Sequence, residues 1–221
     1  MAKKVFPKKL LVEGNEDKRV IPELIEKNGV IWVDEQNHPI VQIQALDGYE
    51  KLTDPDELAV QLDASGLQIL GILIDADEQP NSRWQSIRNA ARKSIPDLPS
   101  QLPEAGLIHQ AQNSIGDPIK FGIWLMPDNQ LQGMLETFLA NLIEDDRQEL
   151  WQYAQEATQI AATKSAPFKL THTDKANLYT WLAWQAPPGR QLHQAIQERI
   201  LQPQHPTAQA FVRWFKNLYN V

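Results

Sequence analysis

The sequence predicts an α/β fold: a mainly parallel central sheet with helices on both faces, followed by a helical C-terminal extension. Three observations carry this. Two apolar runs, Leu10-Leu11-Val12 and Ile69-Leu70-Gly71-Ile72-Leu73-Ile74, end abruptly in acidic residues, Glu13 and Asp75-Ala76-Asp77. The second run shows little alternation, as a strand buried on both faces requires. Strand-like and helical patterns alternate up to about residue 145, and only helical patterns follow. The expected division is therefore an α/β domain over 1–145 and a helical extension over 146–221 packed on it.

Val5 to Val12 reads as the first strand, with Pro7 tolerable only near its start. Asn15 is placed to cap a helix, with Glu16 and Asp17 at its positive end and Val20, Ile21, Leu24 and Ile25 as its apolar stripe. Pro22 removes an internal hydrogen bond, so a kink or a late start is expected. Asn28-Gly29 supplies the stop. Val30 to Val33 and Ile40 to Leu46 are β-like around Asn37-His38-Pro39 and read as a hairpin. Asp54-Pro55-Asp56-Glu57 opens a helix with a cap, a first-turn proline and acids at the positive end.

After Asp77 the chain turns through Gln79-Pro80-Asn81-Ser82 into a helix with Trp84, Ile87 and Ala91 inward. A proline-rich loop leads to two further strands, Leu107 to Ala111 and Lys120 to Met126, joined by the turn cluster Asn113 to Pro118. The second ends at Pro127-Asp128-Asn129, a third acidic strand end. A helix carrying Leu131, Leu135, Phe138, Leu139 and Leu142 on one face follows. Helices are expected near 147–163, 173–185, 190–201 and 207–219.

The 221 residues include no cysteine, which excludes disulfides, iron–sulfur clusters and thiolate zinc sites and fits a cytoplasmic protein. The basic Met1-Ala2-Lys3-Lys4 start is followed by no long apolar core, so no signal peptide is expected, and no run approaches a membrane span. A net charge of −7 argues against a general nucleic-acid coat but is compatible with a local basic strip. The five histidines lack metal spacing, and no phosphate loop or Gly-x-Ser-x-Gly elbow occurs.

If the strands ending at Glu13 and Asp75 are parallel neighbours, Glu13, Asp75 and Asp77 converge on the rim where open α/β sheets bind ligands. Two carboxylates about 4 Å apart repel by roughly 4 kcal/mol at an effective dielectric near 20. A whole domain is stable by only about 5–15 kcal/mol. Converging acids therefore need a cation, shared protons or strong hydrogen bonds, and magnesium, a hard ion that prefers oxygen, suits Asp-x-Asp.

Leu11-Val12-Glu13-Gly14 followed by Asp17, taken with Ile74-Asp75-Ala76-Asp77, resembles the Toprim domain of topoisomerases, primases and certain nucleases. The later Phe121 to Asn129, Gly133, Glu136, Asp174-Lys175-Ala176 and Tyr179 to Ala183 look closer to a Toprim-like bacterial family related to the nuclease domain of overcoming-lysogenisation-defect proteins. The resemblance covers most of the chain. It implies a Toprim-like, Rossmann-like fold, with Glu13 as general acid or base and Asp75 and Asp77 binding magnesium, or manganese in its place. By the same resemblance Asp17 and Glu136 join the metal set and Lys175 is the catalytic lysine. One departure stands out: many Toprim domains carry glycine shortly after Asp-x-Asp, where this chain has Glu78-Gln79-Pro80. A topoisomerase needs a tyrosine-bearing cleavage domain, and a bacterial primase usually carries a cysteine-based zinc module. Phosphodiester hydrolysis on DNA or RNA is what remains, with a partner protein supplying DNA binding or ATP hydrolysis.

Each residue also has a plainer reading. Asp17 suits a first helical turn for dipole reasons alone. Glu136 lies beside its helix's apolar stripe, as a solvated residue does, and Asp128 next to Pro127 reads as a turn residue. Arg88 and Arg92, one turn apart, form either a phosphate clamp or a solvated basic face. The tryptophans read as core. Two rival functions remain at this level: a nucleotide-sugar transferase holding its diphosphate through manganese, and a non-catalytic Toprim-like interaction module.

Overall fold

The structure, a computed structural model, describes residues 6–221. Val5 and the basic start of the chain lie outside them. The element order is β1 (Lys8–Val12), α1 (Asn15–Glu26), β2 (Gln42–Ala45), α2 (Tyr49–Leu52), α3 (Pro55–Leu62), β3 (Ile69–Asp75), α4 (Pro80–Ala91), β4 (Leu107–Gln112) and β5 (Pro118–Met126). Then come α5 (Leu135–Ala140), α6 (Gln148–Thr163), α7 (Thr173–Leu182), α8 (Leu192–Gln197) and α9 (Pro206–Tyr219).

The strands form one sheet in the order β2-β1-β3-β5-β4. All neighbours are parallel except β4, which pairs antiparallel with β5 at the edge. Successive residues of the central strands feed two separate cores. Leu10, Val12, Ile69, Leu73, Trp124 and Met126 pack on one face with α1 and the C-terminal helices. Leu11, Leu70, Ile72, Ile74, Phe121 and Ile123 pack on the other with α3 and α4. Burial on both faces is why these runs are continuously apolar.

The extension is part of the first core. Phe211, Trp214, Phe215, Leu218 and Tyr219 of α9 share it with β1, β3 and β5. Gly71 and Gly122 are register partners in the sheet, and a Cβ on either would run into Tyr219 or Leu218. Two side-by-side glycines thus open a flat place where α9 reaches the backbone. There the Tyr219 hydroxyl donates to the Lys9 carbonyl at 2.8 Å.

Three local expectations change. The hairpin of 30–33 with 40–46 shrinks to one antiparallel bridge between Val33 and Pro39. The residues that follow pair parallel with β1 instead. Helix α1 runs unbroken through Pro22, and its N-cap is Gly14 rather than Asn15. Leu131 is 61% exposed instead of packing on a helix face, because the chain is pinned by the bridge of Gly133 to Asp77 and α5 begins only at Leu135. The single turn α2 had no counterpart in the sequence reading. Among the described residues no helix is long and apolar enough to cross a membrane.

Candidate functional site

Strands β1 and β3 are parallel neighbours, with Val12 level with Leu73, so their acidic ends emerge side by side. From β1 the chain turns into α1 on one face of the sheet, and from β3 into α4 on the other. The order β2-β1-β3-β5 makes this divergence a topological switch point, where α/β sheets open a crevice at the carboxyl ends of their strands.

The crevice is there, a cleft of about 1120 Å³ lined by Glu13, Asp75, Asp77, Arg83, Glu136 and Lys175 among others. Glu13 Oε1 accepts the Asp75 backbone N–H at 2.9 Å, joining the two strand ends directly. Asp75 Oδ1 accepts the N–H of Leu135 at 2.9 Å, which brings the first turn of α5 to the same rim. Asp17, buried in the first turn of α1, accepts the Gly14 N–H at 3.0 Å through Oδ2. Glu136, in the first turn of α5, is also buried and pairs with Lys175 Nζ of α7 at 3.1 Å. Asp77, with φ of 51°, exchanges two 2.8 Å backbone hydrogen bonds with Gly133 and pairs its carboxylate with Arg83.

These acids feel one another. Burial raises the Asp75 carboxyl well above its ordinary range, and the charges of Asp17, Glu13, Glu136 and Asp77 add to the effect. Asp17 is pushed up to about 7, first by burial and then by Glu13 and Glu136. Glu13 is raised chiefly by burial, against the Asp75 N–H and Arg83, which favour its charge. Partial burial would lower Lys175, but the charge and hydrogen bond of Glu136, with Tyr179 and Glu16, together outweigh it and hold the ammonium above its usual value.

A divalent ion fits this donor set in kind. The acids offer only hard oxygen, and one oxygen each of Glu13, Asp17 and Asp75 is committed to a backbone N–H, leaving the other for a ligand. As folded, the side chains are spread along the rim: among the described residues, no group of three or more acids or histidines is drawn into a finished cage.

The profile of a protein family of unknown function, DUF3226, matches residues 7–220. The chain belongs to DUF3226. No curated protein and no solved structure matches it.

In this DUF3226 chain the five acids expected to hold metal, Glu13, Asp17, Asp75, Asp77 and Glu136, come to one rim, and Lys175 joins them. Glu136 is buried rather than solvated, because Lys175 from the distant α7 covers it. Arg88 and Arg92 do not reach the cleft. Arg88 Nε donates to the Leu98 carbonyl at 3.3 Å, and Arg92 is exposed at the end of α4. Asp128 is a turn residue whose Oδ1 accepts the N–H groups of Gln130 and Leu131. Arg83 is the cation that α4 brings to the acids; its place one turn into a helix that starts at Pro80, just after Asp-x-Asp, was the available signal. Thr137 and Asp174 were also missed. The Thr137 hydroxyl donates to the Asp174 carboxylate, and both line the cleft.

Proposed function

We propose that the protein is a Toprim-like, magnesium-dependent phosphodiesterase acting on nucleic acid in the cytoplasm, alone or with an ATPase partner. The observation that carries this reading is the meeting of Glu13, Asp75 and Asp77 with Asp17, Glu136 and Lys175 at the switch-point rim. Buried acids of like charge are expensive to keep, and a site that binds cations and phosphate gives them a use.

Asp75 and Asp77 would hold the ion, with Glu13, Asp17 and Glu136 beside them, and the ion would supply Lewis-acid charge to a phosphoryl oxygen. Hydrolysis adds water across a P–O bond: the water oxygen joins phosphorus, its proton leaves, and the departing sugar oxygen takes one up. Glu13, with its raised pKa and its Oε1 fixed by the Asp75 N–H, is the group suited to take up that water proton. Lys175 keeps its proton through Glu136 and offers a positive charge to the phosphate.

The test is cleavage of single- and double-stranded DNA and RNA in magnesium or manganese, with the double variant Asp75→Asn, Asp77→Asn. Loss of cleavage with an unchanged circular dichroism spectrum is expected. Full activity in the double variant, or a wild-type protein inert on all four substrates, refutes the assignment.

A further inference from the structure

We infer that Arg83 is the backbone-phosphate anchor of the cleft, holding a phosphate of single-stranded nucleic acid next to the one under attack. The inference rests on the nucleic-acid reading above and adds where the strand lies.

Among the described residues lining the cleft, the cations are Arg83 on the α4 side and Lys175 on the α7 side. Each is paired with an acid at the edge of the cluster, Asp77 and Glu136 respectively. The acids thus lie between two positive groups, as a track for a polyanion crossing a metal centre requires. Lys175 belongs to the reacting centre through Glu136. Arg83 meets the cluster from the opposite side, through Asp77.

Three features suit Arg83 to a phosphodiester. Its guanidinium lies 4.1 Å from the centre of the Tyr49 ring, so a stacked plane fixes its orientation. The ring is itself anchored at the rim, because α2 begins where the Gly48 N–H donates to the Glu13 carbonyl at 3.2 Å. The Arg83 side chain is only 10% exposed, whereas its partner Asp77 is 46% exposed and open to another ligand. A cation that binds Asp77 competes for the carboxylate Arg83 now holds. The guanidinium, kept in place by the ring, then has donors for a phosphate, which it can meet with two parallel hydrogen bonds.

The experiment measures binding of a short single-stranded phosphorothioate oligothymidylate, which resists hydrolysis, to the full chain in magnesium over a series of salt concentrations. Arg83→Gln is expected to weaken binding about tenfold. It should also flatten the plot of log affinity against log salt by about 0.7, the loss of one phosphate contact on a single strand. Arg88→Gln, remote from the cleft, should leave both unchanged. Arg83→Lys should keep the salt slope and lose affinity, which a purely structural role would not predict. It also carries the test if Arg83→Gln fails to fold.

Wild-type affinity and slope in both Arg83 variants overturn the inference, as does a wild-type chain that does not bind the probe. Arg83-dependent binding without cleavage of an unmodified strand sinks the hydrolytic reading and leaves the phosphate site standing. Cleavage with binding indifferent to Arg83 does the reverse.

Discussion

Asp17 gives the sharpest test of the electrostatics at the rim. Its carboxyl stands near 3.9 in an unfolded chain and at about 7 in the folded one. The folded state therefore binds the proton more tightly. The stability this contributes is complete below about pH 3.9 and is lost as pH rises through about 7. At about 1.4 kcal/mol for each tenfold in proton affinity, the ionised group costs about 4 kcal/mol by pH 8. Asp17→Asn removes the charge, and its amide oxygen can still accept the Gly14 N–H. The new NH2 must find a partner in a buried place, which costs roughly 1–3 kcal/mol. The expected net gain at pH 8 in EDTA is about 1–3 kcal/mol, seen as a higher urea midpoint or a melting temperature raised by about 3–8 °C. At pH 4 the gain should vanish or reverse, since the wild-type carboxyl is then protonated. A variant no more stable than wild type at pH 8, or a wild-type stability flat from pH 5 to 8, would show that burial and the neighbouring acids do not penalise the Asp17 charge as the fold implies.

Magnesium should stabilise the wild-type protein in thermal melts at pH 8, by about 2.7 kcal/mol at a hundredfold excess over its dissociation constant, and by less at pH 5, where protons compete. A melting temperature indifferent to magnesium and EDTA at both pH values would remove the metal from the site. Lys175→Gln should cut cleavage at least about a hundredfold while moving the melting temperature by only a few degrees, because the Lys175 side chain is 46% exposed; retained cleavage would relieve it of a chemical role. Gly122→Ala should destabilise by about 1–3 kcal/mol, since the new methyl meets Leu218 in a packed core. A neutral result in urea titration would mean that α9 docks less closely than described. Asp128→Ala should lower stability and leave cleavage unchanged, because its carboxylate serves only a turn; lost cleavage in the folded variant would return Asp128 to the site.

Much of the fold is legible in the chain because its central strands are buried twice. Leu70, Ile72 and Ile74 feed one core while Ile69 and Leu73 feed the other, so the run needs no polar positions and stands out. What stays hidden is pairing over distance. Val41 to Ala45 looks the same whether it pairs with Val30 to Val33 or with β1; only the sheet decides, and it decides for β1. Glu136 sits off its helix's stripe and becomes buried only because α7 arrives with Lys175. The arginine choice failed for a similar reason. Arg83 stands about 140° round the helix from Arg88 and about 180° from Arg92, and only the position of Tyr49 and Asp77 shows that its face is the one at the cleft. A glycine alone inside an apolar strand signals a close approach, and at Gly71 the partner is the last helix of the chain, which the strand's own residues do not name.

The crevice and the acids are separable facts, and their coincidence is the argument for function. Sending α1 and α4 to opposite faces would open a gap between β1 and β3 whatever residues stood there. A chain selected for stability alone would line that gap with neutral caps, since a buried unpaired carboxylate works against a fold worth only about 5–15 kcal/mol. Here β1, β3 and α5 each deliver an acid to it, α1 buries a further one, Asp17, beside them, and α4 and α7 each deliver a cation to its edge. Backbone N–H groups hold Glu13, Asp17 and Asp75 in place through one oxygen each, so the charges are fixed rather than free to drift into solvent. Fixed like charges at a switch point lower stability in the free protein and recover it when a cation arrives. On the proposed reading, binding and folding are coupled here, and the pH dependence of stability measures the burial and repulsion that a bound ion would relieve.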